Sequence, residues 1–168
     1  MPKSKLLEKP RAASAADDLD DPCSTVEAIR AKADALFRTA LECCRQHERF
    51  ARVVRLSAVS SEQRAASDLC DRCNAMLDAC VTSYEKCTAT VHPNGPNQAW
   101  WQKANTLWHT SREYLRRHDG CDGLSRRLEK HTAAKLGELH MEYELEASAL
   151  LSLQQATEAY RKVRPEAW

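Results

Sequence analysis

Cys73, Cys80 and Cys87 recur every seven residues, with Cys70 beside the first and Met76 and Leu77 between them. Seven residues make two helical turns, so on a helix these thiols point the same way, together with Ala66 and Leu69. The preceding segment carries Cys43, Cys44 and His47 on its own apolar face. In a helical hairpin turning near residue 60, Cys43 and His47 fall opposite Met76 and Cys73, and a turn near 120 brings His131 and Trp108 to the same height. Thiolate and imidazole are the ligands of zinc, and a thiolate-rich site suits Cu(I). The candidate metal set is therefore Cys43, His47, Cys70, Cys73 and Cys80.

Packing competes with that chemistry and takes precedence. Cysteine is often buried as a plain small hydrophobe. Cys70-Asp71-Arg72-Cys73 is a lone C-x-x-C inside a helix, no second pair completes a zinc pattern, and the adjacent Cys43 and Cys44 cannot both point squarely into one site. Other chemistries fare worse. Glu138, Glu142 and Glu146 recur every four residues near His140, but the first two helices offer no E-x-x-H, so a solvated acidic face outweighs a ferritin-type carboxylate site. A Cys–His nucleophile drawn from Cys43 or Cys44 and His47 lacks any oxyanion hole, and the four glycines match no phosphate-binding or dinucleotide fingerprint. No residue is assigned a catalytic role and no cofactor is expected, zinc or copper being the alternative.

The elements that position these residues are helical. Charged residues make up 29% of the 168, Gly and Pro number only four and six, and no run alternates as strands do. Ser24-Thr25-Val26-Glu27 has the form of a capping box, and from Val26 through Ile29, Ala33, Leu36, Ala40, Cys43, His47, Phe50 and Val54 the apolar steps are three and four. Ser60-Ser61-Glu62-Gln63 opens a second helix, His92-Pro93-Asn94-Gly95-Pro96 ends it, and Asn97 caps a third. Trp100, Trp101, Ala104, Leu107, Trp108, Tyr114 and Leu115 mark that third helix, and Asp119-Gly120-Cys121-Asp122 reads as its closing turn. Leu128, Leu136, Leu139, Tyr143, Ala147, Leu150, Leu153 and Tyr160 mark the apolar side of a fourth, stopped at Arg164-Pro165.

The spacing thus predicts helices near 24–58, 61–91, 97–118 and 122–163, in an all-α, up-down antiparallel four-helix bundle with long first and fourth helices. Residues 1–22 read as a disordered tail, basic then acidic, and 23–168 as the bundle domain. A fourth helix that outruns its neighbours leaves Leu150, Leu151 and Leu153 for self-association in a coiled-coil manner.

Charge and hydropathy bound the partners. The net charge of +1 opposes a global attraction to nucleic acid or membrane. One end of such a bundle gathers arginines, among them Arg116, Arg117, Arg126 and Arg127, which offers an acidic partner or a nucleic-acid backbone a local patch. No segment has the apolar length of a membrane span or the core of a signal peptide, so the expected compartment is the cytoplasm, with reduced thiols. The resulting expectation is a non-enzymatic bundle acting by protein–protein association, as homo-oligomer or adaptor. A Cys/His metal-binding bundle is the alternative, and nucleic-acid binding through the arginine-rich pole is the weaker one.

Overall fold

Four helices account for nearly everything that a computed structural model of the chain describes, namely residues 25–89, 99–128 and 133–168, with backbone alone at 126–128 and 133–135. They are α1 (Val26–Leu56), α2 (Ser60–Thr88), α3 (Ala99–Leu128) and α4 (Ala133–Val163), followed by a 3-10 turn at Pro165–Ala167. The Thr25 side chain caps α1 by accepting a hydrogen bond from the Ala28 N–H at 3.2 Å. The 57–59 link is held by Gln63 Nε2 donating to the Ser57 carbonyl at 2.8 Å and by a hydrogen bond from the Ser57 hydroxyl to Glu62. So short a link makes α1 and α2 antiparallel neighbours.

α1 packs most extensively on α2, and α3 on α4, while contacts of α1 with α4 and of α2 with α3 join these hairpins into a four-helix bundle. Ile29, Ala33, Leu36, Phe37, Ala40, Cys43 and Cys44 form the buried face of α1. They meet Leu77, Val81 and Tyr84 of α2, Ala104, Leu107 and Tyr114 of α3, and Leu153, Ala156 and Tyr160 of α4. A polar clasp fixes the C-terminal end of α4 to α1. Asp34 accepts from Tyr160 Oη at 2.7 Å and from Arg164 Nη2 at 2.6 Å, and Arg38 donates to the Ala167 carbonyl at 3.1 Å. Among the described residues no helix is long and apolar enough to cross a membrane.

The helix lengths differ from the expectation. α3 runs straight through Asp119-Gly120-Cys121-Asp122, so α4 starts at Ala133 and the four helices measure 29 to 31 residues. A glycine inside a helix costs only about 1 kcal/mol relative to alanine, which tertiary packing overrides. Here the packing comes from Cys121, 2% exposed against its neighbours. With equal lengths α4 has no overhang, and Leu153 is fully buried in the chain's own core rather than left for a partner.

Three smaller corrections follow from the phase of the helices. The buried line of α2 is Ala66, Cys70, Asn74, Leu77, Val81, Tyr84 and Cys87, so Cys73 and Cys80 flank it half-buried and Met76 is exposed. On α4, Leu136 and Tyr143 lie on the exposed side. Val54, near the end of α1, is exposed as well. The tail 1–22, Ser24, the 92–96 loop with Asn97, and His131 lie outside the described residues.

Candidate functional site

Two groups of chemically able side chains emerge inside the bundle. The first is a polar network to which all four helices contribute. Tyr114 of α3 donates its hydroxyl proton to Asn74 Oδ1 of α2 at 2.9 Å, and its oxygen also meets His47 Nε2 of α1 in a close hydrogen bond. Because that proton is committed to Asn74, His47 supplies the Nε2–H to the Tyr114 oxygen. His118, one turn on from Tyr114, shares Nδ1 with Glu146 Oε1 of α4 at 2.8 Å and points Nε2 toward Asp71 Oδ1 of α2 at 4.0 Å. The His47 and His118 rings sit 6.2 Å apart, edge to face, and Tyr114 stacks on His118 at 6.1 Å.

Burial and charge drive the two imidazoles in opposite directions. Burial lowers the His47 pKa from the ordinary 6.5, and repulsion from His118 adds to it. The hydrogen bond to Glu146 raises that of His118, outweighing the effect of its own burial. Burial would raise the Glu146 carboxyl, but hydrogen bonds from His118 and the Cys121 thiol prevail and hold it below its ordinary 4.5. The site therefore favours a charged His118–Glu146 pair beside a neutral His47. Beside this network opens a cavity of about 310 Å³, whose wall includes His47, Phe50, Cys70, Asp71, His118, Cys121, Tyr143 and Glu146.

The second group is the thiol cluster between α1 and α2. Cys43 is fully buried, with Cys73, Cys44 and Cys70 near enough to act on its charge. Burial first, and then Cys73 and Cys44, push the Cys43 thiol far above the ordinary range. Burial takes Cys44 to about 12 and Cys70 to about 11. In the first group, burial and Glu146 take Cys121 to about 12. These thiols are un-ionised at neutral pH, the opposite of what a cysteine nucleophile needs.

Of the residues singled out in the sequence, Cys43, Cys70 and Cys73 lie near enough for their charges to interact between α1 and α2. Cys80 does not join them and instead lies 3.4 Å from Thr39 Oγ1. His47 turns away into the Tyr114 network. Among the described residues no three His, Cys, Asp or Glu side chains are placed to hold one ion. Arg116 and Arg117 are both tied to Glu113 by bonds of 2.8 to 2.9 Å, which hold that carboxyl at about 2, and Glu142 lies 4.0 Å from Arg117, so two carboxylates offset the two guanidiniums. The side chains of Arg126 and Arg127 lie outside the described residues. On α4, Leu150 packs partly buried against the core while Leu151 is exposed.

Sequence reasoning missed Asn74, Tyr114 as a polar group, His118, Cys121 and Glu146 as members of one site. Their signal was present: Tyr114, His118 and Cys121 step by four and three along one helix face. Ending the third helix at 118 hid it. Comparison of the chain with family models, with curated proteins and with solved structures found no match, so the reading of its function rests on its own residues.

Proposed function

We infer that this protein works without catalysis, by association, and that the outward flank of α4 receives a second copy of the chain. One observation carries this reading: α4 bears two apolar stripes. Ala149, Leu153, Ala156 and Tyr160 face the core. Leu136, Tyr143, Ala147 and Leu151, at steps of seven, four and four, are exposed, with Leu136 at 58%, Tyr143 at 48% and Leu151 at 55%. A helix apolar on two sides is characteristic of one packed on two sides.

A stripe on one helix is self-complementary about a two-fold axis, the simplest closed assembly. An antiparallel α4–α4 pairing centred near residue 145 sets the bulky Tyr143 of each copy against the small Ala147 of the other. Arg116 and Arg117, offset by Glu113 and by Glu142 at 4.0 Å from Arg117, do not favour a nucleic-acid partner. The test is Leu151→Glu, with mass followed by light scattering. Burying a leucine is worth about 1.5–3 kcal/mol and a two-fold interface loses it twice, so the dimer Kd should rise about a hundredfold or more. Helicity should not change, because Leu151 touches solvent rather than core. An unaltered mass profile for the variant would contradict the reading.

A further inference from the structure

We propose that the tip of the α1–α2 hairpin docks on an anionic lipid bilayer, inserting Leu56 and Val59 below the headgroups while the arginines around them hold the headgroup charge. This is independent of the α4 pairing. Leu56 is 80% exposed, Val59 51% and Val54 47%, and all three lie together at the turn. Apolar side chains gathered at an exposed tip mark an interaction surface. Behind them Arg49, Arg52 and Arg55, at steps of three, sweep across about a third of the circumference of α1. Arg64 stands just past the first turn of α2, and all four arginines are exposed. None of the ion pairs among the described residues uses them. Glu62, the only carboxylate between residues 49 and 64, is engaged by the Ser57 hydroxyl.

The backbone of the 57–59 link is already paired within the chain. Ser57 N–H donates to the Val53 carbonyl at 2.8 Å and Val59 N–H to Ser57 Oγ at 3.2 Å. The Val59 carbonyl accepts from the Glu62 and Gln63 N–H groups at 3.1 and 3.2 Å, and the Ser57 carbonyl from Gln63 Nε2 at 2.8 Å. These groups therefore keep their partners when water is lost, which a lipid environment requires. Arginine can lay its methylenes along an apolar layer and keep the guanidinium at headgroup level. The whole chain carries a net charge of only +1, so the attraction is local and acts within a Debye length of the surface. A nucleic-acid backbone would satisfy the arginines and leave Leu56 and Val59 in water. An anionic bilayer answers both, with charge above and an apolar layer beneath.

The experiment sediments the reduced chain with large unilamellar vesicles, either phosphatidylcholine alone or an equimolar mixture with phosphatidylserine. Wild type should bind the mixed vesicles about tenfold or more tightly than the neutral ones, and lose that advantage as salt is raised. Arg52→Gln combined with Arg55→Gln should weaken binding to the mixed vesicles about twentyfold, near fivefold for each arginine. Leu56→Ser should weaken it about tenfold or more through lost apolar burial. Met76→Ser, at an exposed residue roughly 25 Å further along α2, should leave it unchanged. Circular dichroism should show equal helicity throughout, since every substituted side chain is exposed. The proposal is overturned if wild type does not bind the mixed vesicles or binds neutral ones equally. It is overturned too if the Leu56 or the double arginine variant binds like wild type, if Met76→Ser loses binding equally, or if a DNA duplex at equal phosphate concentration strips the protein from the vesicles.

Discussion

His118 on α3 and Glu146 on α4 are joined by a 2.8 Å hydrogen bond, and the neutral His47 of α1 lies edge-on to the same imidazole. That arrangement sets the pH response of the bundle. The His118 pKa is raised above 6.5, so its contribution is fully present below pH 6.5 and is lost as pH rises through the folded value. Glu146 is held below 4.5, so its contribution is present above pH 4.5 and is lost as pH falls through its folded value. His47 is lowered, so the unfolded chain takes up a proton first and stability falls as pH drops below 6.5. Imidazole NMR should show His118 titrating above 6.5 and His47 below it. In Glu146→Gln the His118 midpoint should fall, because its largest raising cause is removed while burial still lowers it. Coincident titrations at 6.5 in the wild type would contradict the network.

Tyr114 is fully buried and its hydroxyl serves two partners. Tyr114→Phe leaves Asn74, 6% exposed, without its donor. Denaturant unfolding should register a loss of about 1–3 kcal/mol, the cost of a buried unsatisfied polar group. Asn74→Leu added to the Tyr114→Phe variant should then cost less than it does in wild type, because the interaction is already gone.

Leu151 and Leu153 separate the two faces of α4. Leu153→Ala should destabilise the monomer by about 2–5 kcal/mol through a cavity. Leu151→Ala should stay within about 0.5 kcal/mol under conditions where the chain is monomeric.

Gly120 and Gly123 lie inside α3. A Cβ added at Gly120 meets only Glu142 Oε2 at 3.9 Å, and one at Gly123 meets nothing within 4 Å. Alanine at either position should therefore stabilise the fold by up to about 1 kcal/mol, seen as a higher thermal midpoint.

These same glycines explain what the sequence concealed. The apolar steps of Ile29 through Cys43 and the Thr25 cap made α1 legible, and Ser60-Ser61-Glu62-Gln63 made the first turn so. At 119–122 the local signals favoured a turn, while the contact of Cys121 and His118 with α4, invisible locally, decided for helix. The nearness of Cys43 to Cys73 is of the kind that counting outward from the first turn can find. The pairing of His118 with Glu146 is not, because it required α3 to continue past its apparent end. Leu136, Tyr143 and Ala147 read as one apolar side with Leu153 and Tyr160 because two apolar stripes on one helix share the same three- and four-residue steps.

Sedimentation equilibrium of the reduced wild-type protein between about 1 and about 100 µM tests the association reading most directly. The chain mass is 19.0 kDa, and the α4 stripe predicts a concentration-dependent rise to twice that value, abolished by Leu151→Glu. A single species of 19.0 kDa across the whole range would contradict it.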